Sequence, residues 1–449
     1  MISKYKPYTR YKESGIKWIG EIPEEWQVKK LKYICTKYAE YGLNISSDNY
    51  QTEGIRFIRT TDIDDYGNLQ NGGVYLNKSL CKGYTLNCGD LLISRSGTIG
   101  RTFLFNSKKN GEATYAGYLV RFSINKNKAM PKYVFYFTKT NSFFGWLEIQ
   151  SIETTIENVN GQKYANLLLT IPPLPEQITI TNFLDKKTAE ISKLIEKDKK
   201  LIELLKEKRT ALINHAVTKG LDPNVKLKDS GIPWIGKIPE NWEAKKLKQI
   251  SEINISNVDK KSDENEPEVL LCNYIDVYKN EFIDSTINFM KATASVEQIR
   301  RFTIKMGDVI ITKDSEEPTD IAIPALIIED LKNVVCGYHL ALIRSNKMIL
   351  DGSFLFRALQ SKKINDQFIT EANGVTRFGI STYPILNSYI LIPPLSEQIQ
   401  IAEYLDKTTL KIDRTIEKTE AKLELLEEFK KSLIHHAVTG KIDIRGSEI

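Results

Sequence analysis

IPPLPEQITITNFLDKKT, from Ile171 to Thr188, decides the fold because the chain writes it twice: IPPLSEQIQIAEYLDKTT runs from Ile392 to Thr409. After the first proline-rich turn, the segment from Glu176 to Val217 contains no Gly or Pro. Leu184, Ile191, Asp198, Leu205 and Leu212 then fall seven apart, and the second copy repeats the spacing at Leu405, Ile412, Thr419, Leu426 and Leu433. A seven-residue apolar period is a helical seam, and one polar residue within it fixes register at some cost in stability. Each helix, at roughly 40 residues and about 1.5 Å per residue, reaches ~60 Å. An exposed apolar stripe of that length needs cover, and the nearest cover is the other copy. The expectation is an antiparallel coiled coil whose polar sites are Asp198 and Thr419.

Working outward, the repetition extends over the chain. GIKWIGEIPEEWQVKKLKYI (Gly15 to Ile34) returns as GIPWIGKIPENWEAKKLKQI (Gly231 to Ile250) with 14 of 20 positions identical, and HAVTKGLD at His215 returns as HAVTGKID at His436. The offset between copies is 216 at Trp18/Trp234, 218 at Gly89/Gly307, 220 at Gly117/Gly337 and 221 from Pro172/Pro393 onward. A period above 200 residues marks a duplicated domain pair and not a solenoid. The insertions fall where the copies are least alike, so two similar frames hold different contents.

The opening segments are rich in Gly and Pro, which excludes a long helix; an extended stretch with turns is expected, with Trp18 and Trp26 both anchored on a neighbouring face. RFIRTTDI at Arg56, GDLLISRSGTIGR at Gly89 and YLVRFSI at Tyr118 read as short strands with turn residues at their ends. PKYVFYFTKTNSFFGWL from Pro131 has helical spacing behind a first-turn proline. GDVIITKD, YHLALIRS and FLFRALQS are their outlines in the second copy. The fold class is α+β: a tandem pseudo-twofold repeat of two mixed α/β domains separated by two long helices. The segments are 1–172, the helix 173–219, the second domain 220–393, and the second helix with its tail 394–449.

The 449 residues are 41% hydrophobic and 27% charged, an ordinary globular balance. No apolar run approaches the ~18 residues of a membrane span, and the N-terminus has no apolar secretory core. Five cysteines without close spacing point to a reducing, cytoplasmic setting. The net charge of +6 permits nucleic-acid binding without requiring it. GxxxxGK[ST], GxGxxG and HExxH are absent, and the four histidines lack partners at metal-ligand spacing. No catalytic or metal site is expected; His215 and His436, near helix C-termini, read as dipole-facing residues.

SGIKWIGEIPEEW at Ser14, SGIPWIGKIPENW at Ser230, GDLLISRSGTIG at Gly89, IPPLPEQ and IPPLSEQ together resemble the specificity subunit of type I restriction–modification systems, across essentially the whole chain. The resemblance implies that each variable part is a target recognition domain reading one half of a bipartite, asymmetric double-stranded DNA sequence. It implies that the helices form the spacer and dock two methyltransferase (modification) subunits, with restriction/translocase subunits added. No cofactor belongs to this chain; S-adenosylmethionine, ATP and Mg are implied for the partners. Half-sites about 34–36 Å apart, or a multiple of that, match two domains held by a long helix pair.

Base reading needs donors and acceptors on loops or strand ends, with phosphate contacts from Lys and Arg. The candidates in the first domain are Arg56, Arg59, Thr60 and Thr61, then Ser94, Arg95, Ser96 and Arg101, whose loop carries Gly97 and Gly100. In the second, GDVIITKDSEEPTD loses both glycines and gains acids, leaving Lys313, Asp314 and Ser315, with Asn273, Tyr274 and His339. GVTRFGIS adds Thr376 and Arg377; its counterpart TTIENVNG adds Glu157 and Asn158. A scaffold protein whose helices bind protein or RNA partners, without sequence-specific DNA recognition, is the competing reading.

Overall fold

The computed structural model describes residues 5–152 and 158–446. The chain divides into two compact units, Met1–Lys199 with Glu420–Ile449, and Lys200–Thr419. Both divisions fall inside the long helices, Leu174–Lys219 and Leu395–Val438. Each unit thus contains one piece of each helix.

In the first unit a four-stranded antiparallel sheet runs in the order Cys35–Tyr41, Leu119–Ile124, Asp90–Ser94, Thr102–Leu104. A smaller sheet orders Val74–Leu76, Ile55–Ile58 and Ala113–Tyr115, its last pair parallel. The helical stretch from Pro131 is broken into Pro131–Phe137 and Asn141–Ile152. Thr138 and Thr140 cause the break: each hydroxyl donates to the carbonyl three residues back, and Thr140 Oγ1 also accepts from the Phe143 N–H, starting a new helix.

The second unit repeats this plan with additions. Its main sheet runs Ser251–Ile255, Leu340–Ser345, Val309–Thr312, Pro324–Ile327, Phe282–Ile283. Its smaller sheet runs Met290–Thr293, Glu268–Cys272, Val334–Cys336. The parallel pairing of Ile55–Ile58 with Ala113–Tyr115 reappears as Glu268–Cys272 with Val334–Cys336.

Within each unit the two helix pieces lie against each other in opposite directions. In the first, Lys422 places its ammonium 2.8 Å from the Asp198 carboxylate, and Lys430 donates to Ser192 Oγ at 2.7 Å. In the second, Arg209 donates to Asp413 at 2.9 Å. Leu184, Leu405 and Leu433 are fully buried, and Ile191, Ile412, Thr419, Asp198 and Leu426 are nearly so. Leu205 and Leu212 are half-buried; Ile202 and Ile213 are the sealed residues of that stretch.

The opening segments seat these helices. Trp26 and Trp242 are fully buried, and each indole N–H donates to a glutamate in the first turn of a long helix, Glu176 and Glu397, at 3.2 Å. Trp18 and Trp234, expected to be anchored likewise, are instead 37% and 39% exposed: the turn that carries them closes on its own backbone through Ile16 and Ile232 carbonyls. Gln177 and Gln398, next in sequence, each bond the preceding proline-pair carbonyl and also accept the backbone N–H of Met130 or Asp351, the residue that leads into a domain helix. Thus Glu and Gln of the repeated motif fasten, in turn, the opening segment and the globular domain to one helix start.

Each long helix stops at a left-handed glycine, Gly220 at φ +78° and Gly440 at φ +73°. A Cβ at Gly440 would come within 2.3 Å of Pro23. In the first unit the ends of the chain are stitched together there: Asp443 N–H donates to the Lys6 carbonyl at 2.7 Å, and Tyr11 O–H to the Gly440 carbonyl at 3.0 Å.

Gly440→Val is expected to cost about 1–3 kcal/mol from overpacking and backbone strain. Chemical denaturation read by tryptophan fluorescence checks this, with the unobstructed Gly446→Val as the unaffected control; equal midpoints would contradict the packing. A second expectation concerns His435, held down at about 4 by burial and then by His436 and Lys441. Between about pH 4 and 6.5 the unfolded chain binds the proton and the folded one does not, so stability falls as pH drops through that window. His435→Asn, borrowing Asn214 from the other copy, flattens that slope in thermal melts; an unchanged slope would assign it elsewhere.

Candidate nucleic-acid interface

In the first unit three distant segments meet at the end of the central strand. Arg95 N–H donates to the Tyr118 carbonyl at 2.9 Å, and the Arg95 carbonyl accepts from Val159 N–H at 3.0 Å. The second unit builds the same junction. Lys313 N–H donates to the His339 carbonyl, and the Lys313 carbonyl accepts from Ile380 N–H, both at 2.9 Å. Arg95/Lys313 and Val159/Ile380 obey the repeat's offsets of 218 and 221. One backbone frame therefore presents different side chains in the two units.

The first unit's candidates separate sharply by partner. Arg59 gives Nε and Nη2 to Asp62, and Arg56 lies over the Tyr75 ring with Asp62 at 3.9 Å. Arg101 is bound to Asp65 at 2.7 Å. Ser94 is buried, its hydroxyl turned to the Thr98 carbonyl and accepting from the Arg101 N–H. Each of these four, expected at the DNA surface, has a partner within the unit: a carboxylate for each arginine and a loop carbonyl for Ser94. Thr60 Oγ1 is buried without a partner in a short turn, and Thr61 is exposed beside it.

Arg95 differs. Its guanidinium stacks over the Tyr41 ring at 5.0 Å, and its Nε is buried with no hydrogen-bond partner. Asn158 Oδ1, one residue before the junction's Val159, is likewise buried and unpartnered. Ser96 follows Arg95 on the same loop, half-buried. Glu157 lies outside the described residues.

In the second unit Asp314–Ser315 pairs with Phe378–Gly379, which brings Lys313, Asp314, Thr376 and Arg377 together. Asn373 and Gly379 exchange both backbone bonds, so residues 374–378 project as a tip in which Thr376 and Arg377 are exposed and Val375 is 93% exposed. His339 Nδ1 bonds Asp314. The Tyr274 ring stacks on Tyr278, centroids 5.6 Å apart, and burial pushes its phenol pKa up. Two of the expected residues are enclosed with local partners. Asn273 is 8% exposed and caps its own helix against Asp276, and Ser315 is 6% exposed with its hydroxyl accepting from Glu317 N–H.

The sequence reading missed Tyr41, Tyr118, Tyr278 and Tyr338, which stand 40%, 61%, 41% and 50% exposed around the two junctions. For Tyr118 and Tyr338 the signal was present in GY at Gly117 and Gly337, repeated with unlike neighbours; Tyr41 and Tyr278 have no such mark. Exposed aromatic rings, forked donors and carboxylate acceptors beside lysine and arginine suit base edges and phosphates. Among the described residues no group of three His, Cys, Asp or Glu is arranged to hold a metal ion, and no helix is long and apolar enough to cross a membrane.

Residues 23–204 and again 239–428 match the family described as type I restriction modification DNA specificity domain. The chain is 25% identical over 448 residues to the type I restriction enzyme MjaVIII specificity subunit of Methanocaldococcus jannaschii, with 97% of both chains covered. It is 20% identical to the EcoBI specificity subunit of Escherichia coli, covering 96% of this chain and 89% of that one. In fold it is similar to a chain from a type I R-M system solved for its complex assembly and conformational transition, at TM-score 0.71, 14% identity, and 94% and 99% coverage. It is also similar to the HsdS subunit from Thermoanaerobacter tengcongensis, at TM-score 0.56, 14% identity, and 94% and 98% coverage. Matched in both of its repeats, the chain belongs to the family of type I restriction modification DNA specificity domains.

Proposed function

We propose that this specificity subunit reads a bipartite, asymmetric DNA target, one half-site per unit, and brings two methyltransferase subunits and restriction/translocase subunits to it. The observation that carries this reading is the duplicated junction: one backbone frame, used twice, with Arg95 and Asn158 in one copy and Lys313, Asp314 and His339 in the other. A device for reading two different sequences through one docking geometry needs an invariant frame and variable side chains. The specificity subunit itself catalyses nothing; S-adenosylmethionine is carried by the methyltransferase partners, and ATP and magnesium by the restriction subunits. The long helices, closed on each other along their seams, offer outer faces for those subunits.

Among the first unit's named arginines, Arg95 is the base reader. Arg56, Arg59 and Arg101 have their charge answered by Asp62 or Asp65. Arg95 is already oriented by Tyr41, so little side-chain freedom remains to be lost on binding. Ser96, which follows it on the same loop, and the exposed Thr61 take phosphate or sugar contacts on this reading. In the second unit Thr376 and Arg377 serve that role from the projecting tip.

Co-expression with the methyltransferase subunits, followed by mapping of modified adenines across a plasmid library, tests the proposal. A single split motif with a fixed gap is expected. An assembled, active complex that modifies adenines without sequence preference would overturn it. Arg95→Ala is expected to relax the first unit's half-site by about ten- to a hundredfold at one position while leaving the other half-site and assembly intact. An unchanged motif would remove Arg95 from base reading.

A further inference from the structure

His339 is a one-residue insertion in an otherwise matched frame. In the first unit only Tyr118 separates Gly117 from Leu119, and Leu119 pairs with Ser94. In the second, Tyr338 and His339 separate Gly337 from Leu340, and Leu340 pairs with Thr312. The extra residue takes φ +69°, in the left-handed region that a side chain's Cβ disfavours. Such conformations persist where the surroundings over-determine them, often at ligand-facing positions. Here the surroundings are explicit. The His339 carbonyl closes the junction with Lys313, its ring lies 4.0 Å from that of Tyr338, and its Nδ1 meets the Asp314 carboxylate. The side chain remains 32% exposed.

The Asp314 contact fixes the tautomer of His339: a carboxylate only accepts, so Nδ1 carries a proton. In the neutral form of that ring Nε2 is a bare acceptor, whereas in the imidazolium it donates. We propose that Nε2 of His339, held by Asp314, accepts a hydrogen bond from the exocyclic amino group of adenine or cytosine at one position of the second unit's half-site. In the major groove, adenine N6 stands where guanine carries O6, and cytosine N4 where thymine carries O4. An acceptor at that place therefore selects adenine over guanine, or cytosine over thymine, by setting lone pair against lone pair in the rejected base. The neighbouring turn is acceptor-rich in the same sense, with Glu316 and Glu317 exposed beside Asp314. The corresponding junction of the first unit has no residue at the place of His339; there the donor fork of Arg95 stands over Tyr41.

This inference rests on the DNA-reading function proposed above, and its test separates the two. The complex with methyltransferase subunits is assayed for binding to its mapped target and to duplexes in which each adenine or cytosine of the second half-site is replaced, one at a time, by purine or 2-pyrimidinone, which lack the amino group. Wild type is expected to lose about tenfold in affinity at one such position. His339→Gly, which keeps the backbone conformation and removes the ring, should already have lost that preference and lose nothing more there. Asp314→Ala, which frees the ring, should weaken the same preference. Additive losses for His339→Gly and the amino deletion, or a preference unchanged in both variants, would overturn the role of His339 while leaving DNA reading intact. A wild-type complex without sequence preference would overturn both.

Discussion

A buried indole N–H donating to a first-turn glutamate holds each unit together. Glu176, buried, and Glu397, half-buried, sit where a helix's own unsatisfied N–H groups favour negative charge, and Trp26 and Trp242 supply a donor that offsets the loss of solvent around each carboxylate. In the first unit Tyr8 adds a second bond to Glu176 at 2.6 Å, and Gly440 lies so near the same tryptophan that a Cβ there would come within 3.2 Å of its ring. In the second, Gly220 takes that place beside Trp242 and Glu397. At one point, therefore, an opening segment, the start of one long helix and the end of the other are fixed together. Gln177 and Gln398 extend the fixture to the domain helices.

This frame frees the rest of each domain to vary. Tyr136 and Arg357 occupy equivalent places, 221 residues apart, and reach equivalent aspartates, Asp185 and Asp406, at 2.6 and 2.7 Å with different chemistry. The junctions at Arg95 and Lys313 follow the same rule with backbone bonds, which carry no sequence information and so survive replacement of every side chain around them. On the function proposed above, recognition is changed by substituting residues on the junction, and register is kept by the helix seams and the seats beneath them.

Much of this was legible in the sequence. The duplicated motif gave the helices, their seam and their polar sites, because a seven-residue period and an absence of Gly and Pro are local signals. Asp90–Ser94 ends at its serine as the turn residues suggest, whereas Ile55–Ile58 stops at Arg59, ahead of Asp62, because Thr60–Asp62 winds into a short helical turn. Exposure was harder to read: Trp18 and Trp26 look alike in sequence, and only the closed turn around Ile16 shows that one faces out. The arginines were harder still. Arg59 has its partner three residues away, but Arg101 finds Asp65 across 36 residues, a pairing set by the sheet and not by spacing. His339 was visible as a candidate, yet its status as an inserted residue emerges only when strand pairing fixes Leu119 against Leu340.

Site-specific photo-cross-linking of the assembled complex on its target tests the central claim, that one repeated junction faces DNA in both units. A benzophenone side chain at Tyr118 should cross-link to one half-site, and one at Tyr338 to the other, each at a single base step. Cross-links from either position only to protein subunits, or from both positions to the same half-site, would contradict the account.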